Sequence, residues 1–200
     1  TGAIALDGAT GAVRIPTDAS LRPTAQMSVI GWVRGTERPE SGLASIVAQG
    51  DRGCSTPTWA LVYTGGGIAF QWAAADGSPL ATYTGRDIYD GQWHHVAATF
   101  DSTSNVVPIY VDGRRYLGYT GTANASLQYG LPDQTSSDLF IGVAPNCPYW
   151  SSFEGNVDHV RVYDRALTPD EIMADIPDYP TTTTVSAYQT SPYAESTMGY

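Results

Sequence analysis

Along most of this chain apolar and polar residues alternate in short runs, and the runs end at turn-forming residues. Alternation with period two gives each strand one face for a core, so such a chain folds into antiparallel sheets stacked or closed on themselves. Met27 to Arg34 shows the pattern plainly: Ser28, Ile30 and Trp32 face one way, Met27, Val29 and Val33 the other. Further strands are expected from Ala3 to Leu6, Ala12 to Ile15, Leu43 to Gln49, Trp59 to Tyr63 and Ile68 to Trp72. Others are expected from Leu80 to Thr84, Trp93 to Phe100, Val106 to Val111, Tyr116 to Tyr119, Leu139 to Val143 and Phe153 to Tyr163. With 200 residues the chain is long enough for one β-sandwich with a real core.

One helix interrupts the pattern. Thr168 is its N-cap, Pro169 its first residue, and Glu171 completes a capping box. Leu167 and Ile172 are placed to form a hydrophobic staple across that cap. The helix is expected to end by Asp175, because Pro177 cannot continue it. After Pro180 the chain becomes rich in Ser, Thr and Tyr. Residues 1–178 therefore read as one domain, and 179–200 as a linker or the start of a following immunoglobulin-like repeat. The chain opens at Thr1-Gly2-Ala3 with no signal-peptide pattern and reads as a mature or excised segment.

Several segments resemble, in order, the laminin-G-like, concanavalin-A-like jelly roll of secreted, modular bacterial proteins. They are Leu6-Asp7-Gly8, Ile30-Gly31-Trp32-Val33, Trp93-His94-His95-Val96 and Val111-Asp112-Gly113. The closing run from Gly155 to Ile172, with Val157-Asp158, Val160-Arg161-Val162-Tyr163 and Arg165-Ala166-Leu167, completes the set. The resemblance covers most of residues 1–178. It implies an all-β fold: an antiparallel jelly-roll β-sandwich with one short C-terminal helix. It leaves function open, since the fold hosts lectins, carbohydrate-binding modules, adhesion domains, spacers and some glycanases.

Charge narrows the partners. The net charge is −10, and all ten basic residues are arginine. Such a chain lacks the means to neutralise phosphates, which argues against nucleic acid and against anionic membrane surfaces. No segment reads as a membrane span. Cys54 and Cys147 both sit in turn-like sequence, Gly53-Cys54-Ser55-Thr56-Pro57 and Asn146-Cys147-Pro148. A disulfide between two loops is the expectation, with two free thiols as the alternative. Such a bridge closes a long loop, for which chain-entropy models give about 4–5 kcal/mol, and it implies an oxidising, extracellular compartment.

The candidate sites follow. A disulfide at Cys54 and Cys147 gathers Trp59, Tyr149 and Trp150 beside Arg52 and Asn146, an aromatic and polar set suited to a glycan. Trp32, Trp72 and Trp93 are expected in the core. Asp7, Asp51 and Asp158 lie near turns and are candidate ligands of a structural calcium, which this fold often carries. Glu154 and Asp158 share a strand face, but the Glu-x-Asp-x-x-Glu run usual in glycanases of this fold is absent. His94 and His95 point to opposite faces, one to the core and one to the surface, and do not form a triad. The leading reading is a non-catalytic carbohydrate-binding module of a larger extracellular protein, with a glycan or polysaccharide and neighbouring domains of the same chain as partners. A structural or adhesion domain is the alternative, and a glycoside hydrolase of the same fold trails both.

Overall fold

In the computed structural model, residues 2–9, 11–23, 25–50, 58–73, 79–104, 106–117, 119–120, 138–144, 151–177 and 184–186 are described. The strands in chain order are β1 (Ala3–Asp7), β2 (Val13–Ile15), β3 (Gln26–Gly35), β4 (Leu43–Gln49), β5 (Trp59–Thr64), β6 (Gly67–Ala73), β7 (Pro79–Tyr83) and β8 (His94–Asp101). They continue with β9 (Pro108–Val111), β10 (Arg114–Leu117), β11 (Tyr119–Thr120), β12 (Leu139–Ile141), β13 (Ser151–Ser152), β14 (Glu154–Tyr163) and β15 (Thr184–Ser186). One α-helix, α1 (Pro169–Asp175), follows β14.

Two sheets form, in the orders β10-β9-β8-β3-β14-β1-β15 and β11-β7-β6-β5-β4-β12-β2. Pairing is antiparallel except for β1 with β15 and β13 with β4. The fold class expected from the sequence is the one observed: a jelly-roll sandwich with one short helix. Between the sheets lies the main core, where Trp59, Phe70 and Trp72 stack in series and Phe100 meets Trp72 edge-on, with ring centroids 6.3, 5.8 and 5.9 Å apart. Met27, Val29 and Val33 of β3 and Val96, Ala98 and Phe100 of β8 face this core.

The opposite faces of β3 and β8 are buried too. Ile30, Ala97 and Tyr110 form a second cluster with Leu167 and Ile172, so α1 lies across the outer side of the first sheet. The cap is as the sequence predicts. Glu171 N–H donates to Thr168 Oγ1 at 3.3 Å, and Thr168 N–H donates to Glu171 Oε2 at 2.8 Å. Buried Ser28 ties the approach to the helix: its hydroxyl donates to Arg165 O and accepts from Leu167 N–H, both at 2.9 Å. At Asp112-Gly113 the chain takes φ of 52° and 74°, the mirror-image turn that joins tightly twisted strands. A Cβ on Gly113 would collide with Met173 Sδ of α1, so glycine serves both the turn and the docking of the helix.

Two local features depart from the expected strands. Trp93 lies just outside β8 and is half-buried rather than a core residue. In β14, His159 and Val160 together oppose one residue, Gly31, and His159 takes φ of 50°. This bulge keeps Val157, Val160 and Val162 on the core side while Asp158, Arg161 and Tyr163 stay outside.

The α1 contact sets two expected outcomes. Ile172→Ala empties the one fully buried position of the helix and should cost about 2–5 kcal/mol. Thr168→Ala removes a cap and should cost about 1 kcal/mol. Urea unfolding checks both, and an Ile172→Ala loss no larger than that of Thr168→Ala would contradict the packing described.

Candidate functional site

Arg52, Asn146, Tyr149, Trp150, Asp51, Cys54 and Cys147 lie outside the described residues, as do 179–183 and 187–200 of the segment expected as a linker, while Thr184–Ser186 of that segment forms β15 beside β1. Trp59 does not belong to an exposed aromatic cluster. It begins β5 on the core side, opposite Gln49 and Trp72, and is fully buried. Its indole N–H donates to Gln49 Oε1 at 2.7 Å, and Gln49 Nε2 donates to Leu21 O at 2.7 Å. The buried ring is satisfied from within, which removes it as a platform for a ligand.

Asp7 and Asp158 are not brought together. Asp7 pairs with Glu154, four residues before Asp158 along β14, so they stand about 13 Å apart at a strand's rise per residue. One calcium ion needs its oxygen ligands within about 2.3–2.6 Å, and these two carboxylates cannot share it. Asp7 Oδ1 instead accepts the N–H groups of Ala9 at 3.0 Å and Gly11 at 2.8 Å, closing the first turn. Asp158 Oδ1 accepts His159 N–H at 2.8 Å and supports the bulge. Among the described residues, no group of three His, Cys, Asp or Glu side chains is gathered as a metal site. Along β14 the backbones of Glu154 and Asp158 stand about 13 Å apart, and Asp158 Oδ1 is taken up by His159 N–H.

Both histidines of the pair are buried, not one. His94 is held at both ring nitrogens, Nδ1 to Asp112 Oδ2 at 2.9 Å and Nε2 to Asp90 Oδ1 at 3.0 Å. Burial works against its charge, but the bonds to Asp112 and Asp90 outweigh it and raise the pKa above the ordinary value. His95 meets Trp32 edge-on at 5.3 Å and reaches Asp175 Oδ2 at the end of α1 at 3.2 Å, while Arg161 pairs with the other oxygen of Asp175. Burial dominates there, only partly opposed by Asp175, and lowers the His95 pKa. Every described nitrogen-to-carboxylate contact in this group braces a turn or the helix.

Surface concavity appears at one end of the sandwich. A cleft of about 320 Å³ is walled by Arg22, Gln26, Asp101, Ser102, Thr103 and Asp164 from three separate segments. Asp101 is the fixed element: it accepts Thr103 Oγ1–H at 2.7 Å, Thr103 N–H at 2.8 Å and Gln26 Nε2–H at 2.7 Å. The bonds from Thr103 hold its carboxyl below the usual range. A cleft this size, lined by hydroxyl, amide, carboxylate and guanidinium groups, fits one small polar unit.

Comparison with known proteins places the chain. A laminin G profile, that of the concanavalin A-like lectin/glucanases superfamily, matches residues 7–173. The chain belongs to this superfamily. No curated protein sequence matches it. Among solved structures it is similar to the CBM40 of Ruminococcus gnavus IT-sialidase bound to α2,3-sialyllactose, with TM-score 0.66, 14% identity and coverage of 87% of this chain and 96% of that one. It is similar to domain 4 of AbnA, a GH43 extracellular arabinanase from Geobacillus stearothermophilus in complex with arabinotriose, with TM-score 0.61, 21% identity and coverage of 85% and 74%. The binding domain of Paraclostridial Mosquitocidal Protein 1 is a third, with TM-score 0.63, 13% identity and coverage of 88% of this chain but only 45% of that one. At these identities the likeness is one of fold.

The two histidines set opposite pH dependences. The raised His94 contributes stability that is full below the ordinary histidine value of about 6.5 and lost as pH rises through its folded value. Hence His94→Gln should lose more stability at pH 5.5 than at pH 8.5. His95 is depressed, so it withholds stability as pH falls below about 6.5; the cost of His95→Gln should shrink toward acid. Urea midpoints against pH check both, and two parallel curves would contradict the assignment.

Proposed function

We propose that this chain is a non-catalytic carbohydrate-binding module of a larger extracellular protein. The reading is carried by one observation: the same sandwich, at almost the same size, stands as a separate sugar-bound module in the sialidase CBM40. The arabinanase domain seen with arabinotriose supports it from a second parent enzyme. The engagement of Asp7, Asp101 and Asp158 in turns and at the bulge favours binding over hydrolysis. Secretion and a Cys54–Cys147 disulfide belong to the same proposal, as does a structural calcium drawing on Asp51 and loop carbonyls rather than on Asp7 with Asp158. Arg52, Asn146, Tyr149 and Trp150 remain the proposed loop contacts for the glycan. A structural or adhesion domain is the second reading, favoured by the exposed apolar side chains of Leu117 on β10 and Met173 on α1.

A glycan array followed by titration calorimetry, run with calcium and with chelator, should show saturable binding of at least one glycan class. No binding in either condition overturns the module reading and leaves the adhesion reading. Melting the protein with and without chelator tests the calcium: a bound structural ion should raise the melting temperature, and identical curves reject it.

A further inference from the structure

The helix covers only part of the first sheet's outer face, and the row beyond it is built from planar polar side chains. Cross-strand register sets Ile30 and Ala97 side by side, and α1 lies over them. Trp32 and His95 form the next row, where the helix ends at Asp175. One row further on, Asn156 of β14 stands beside Arg34 of β3, and the Arg34 guanidinium lies 5.4 Å from the centroid of the Trp93 ring. Trp93 and Arg34 are half-exposed, whereas Trp32, Trp59 and Trp72 are buried.

Arg34, like Arg22 on Thr17 Oγ1, is held by a neutral oxygen. Its Nε and Nη2 donate to Asn156 Oδ1 at 3.2 and 2.8 Å, so the guanidinium is fixed in plane by an amide. It forms no ion pair with a described carboxylate. Nη1 is left as a donor. Glu154 and Asp158 flank Asn156 on the same face, each two residues away or about 7 Å along the strand. Acceptors thus bracket a rigid donor beside an aromatic ring. Vicinal hydroxyls, each both donor and acceptor, match paired planar groups of this kind, and the apolar C–H face of a sugar ring matches an indole. The flanking carboxylates, within a chain of net charge −10, disfavour an anionic ligand.

We infer that Trp93 and the Arg34 guanidinium, held in place by buried Asn156 and set near Glu154, form a contact surface for a neutral sugar unit of the bound glycan. This inference rests on the carbohydrate-binding reading and assigns that function a place on the helix-bearing sheet.

Calorimetry with arabinotriose, xylotriose, cellotriose, mannotriose, lactose and 3′-sialyllactose tests it on the full chain. At least one neutral sugar should bind, and lactose should bind no more weakly than sialyllactose. Arg34→Gln and Trp93→Ala should each weaken the neutral sugar about tenfold or more, while Asp164→Ala in the cleft should leave its affinity unchanged. Circular dichroism and melting confirm that the variants fold. Trp93→Phe gives a milder change of the same ring, and in the wild type sugar should protect tryptophan fluorescence from iodide. Binding that survives both Arg34→Gln and Trp93→Ala, or that Asp164→Ala alone weakens, overturns this surface but not the module. Sialyllactose binding more tightly than lactose overturns the preference for neutral sugars. A wild type that binds none of the six overturns both proposals.

Discussion

Burial of both faces of β3 and β8 is the constraint on which the rest of the structure depends. A sheet with apolar residues on both sides must be covered twice. The second sheet supplies the inner cover through Trp59, Phe70 and Trp72, which meet Phe100 of β8. The outer cover is α1, seven residues long and too short to stand alone. Its stability is therefore borrowed from the cap at Thr168, from the Ser28 hydroxyl that holds Arg165 and Leu167, and from the Asp175 carboxylate set between His95 and Arg161. The ionic contacts and the apolar ones serve the same end, which is to keep a small helix on a large sheet.

What was legible in the sequence is what depends on neighbours along the chain. Alternation located most strands, and Thr168-Pro169-Asp170-Glu171 located the helix with its cap, because those rules act within a few residues. Alternation puts Trp59 on a strand, but its burial is decided by Gln49 and Trp72 on adjacent strands, and the turn-like run Gly53 to Pro57 just before it suggests a loop-side position. His94 and His95 were split between core and surface by alternation alone; the carboxylates of Asp90, Asp112 and Asp175 and the cover of α1 make both buried. Asp7 and Asp158 each sit at a turn or bulge, but the register of β1 on β14 sets them far apart. The bulge did leave a trace. Val157 to Val160 is a step of three, while Val160 to Val162 is a step of two, and an odd step in a period-two strand announces one extra residue.

Membership of the superfamily and the place of function are separate questions here. The motifs that carry the family likeness, the Val111-Asp112-Gly113 turn and the run from Gly155 to Ile172, are spent on folding. Trp93 is the exception. It belongs to the same signature, yet it stands at the surface beside Arg34, where scaffold and chemistry meet on one row of side chains.

The bulge at His159 also sets how this strand tolerates change in length. Loss of His159 leaves Val157, Asp158, Val160, Arg161 and Val162 in unbroken alternation, so the strand keeps its inside and outside. Gain of one more residue between Asp158 and Val160 has the reverse effect, since it leaves two surplus residues against one partner. A slide of two residues absorbs them and keeps Arg161 facing outward, but it carries Arg161 about 7 Å along the strand and takes it from Asp175. The closing strand is thus asymmetric as evolutionary material: loss at this point keeps the register with β3, and gain there shifts everything that follows.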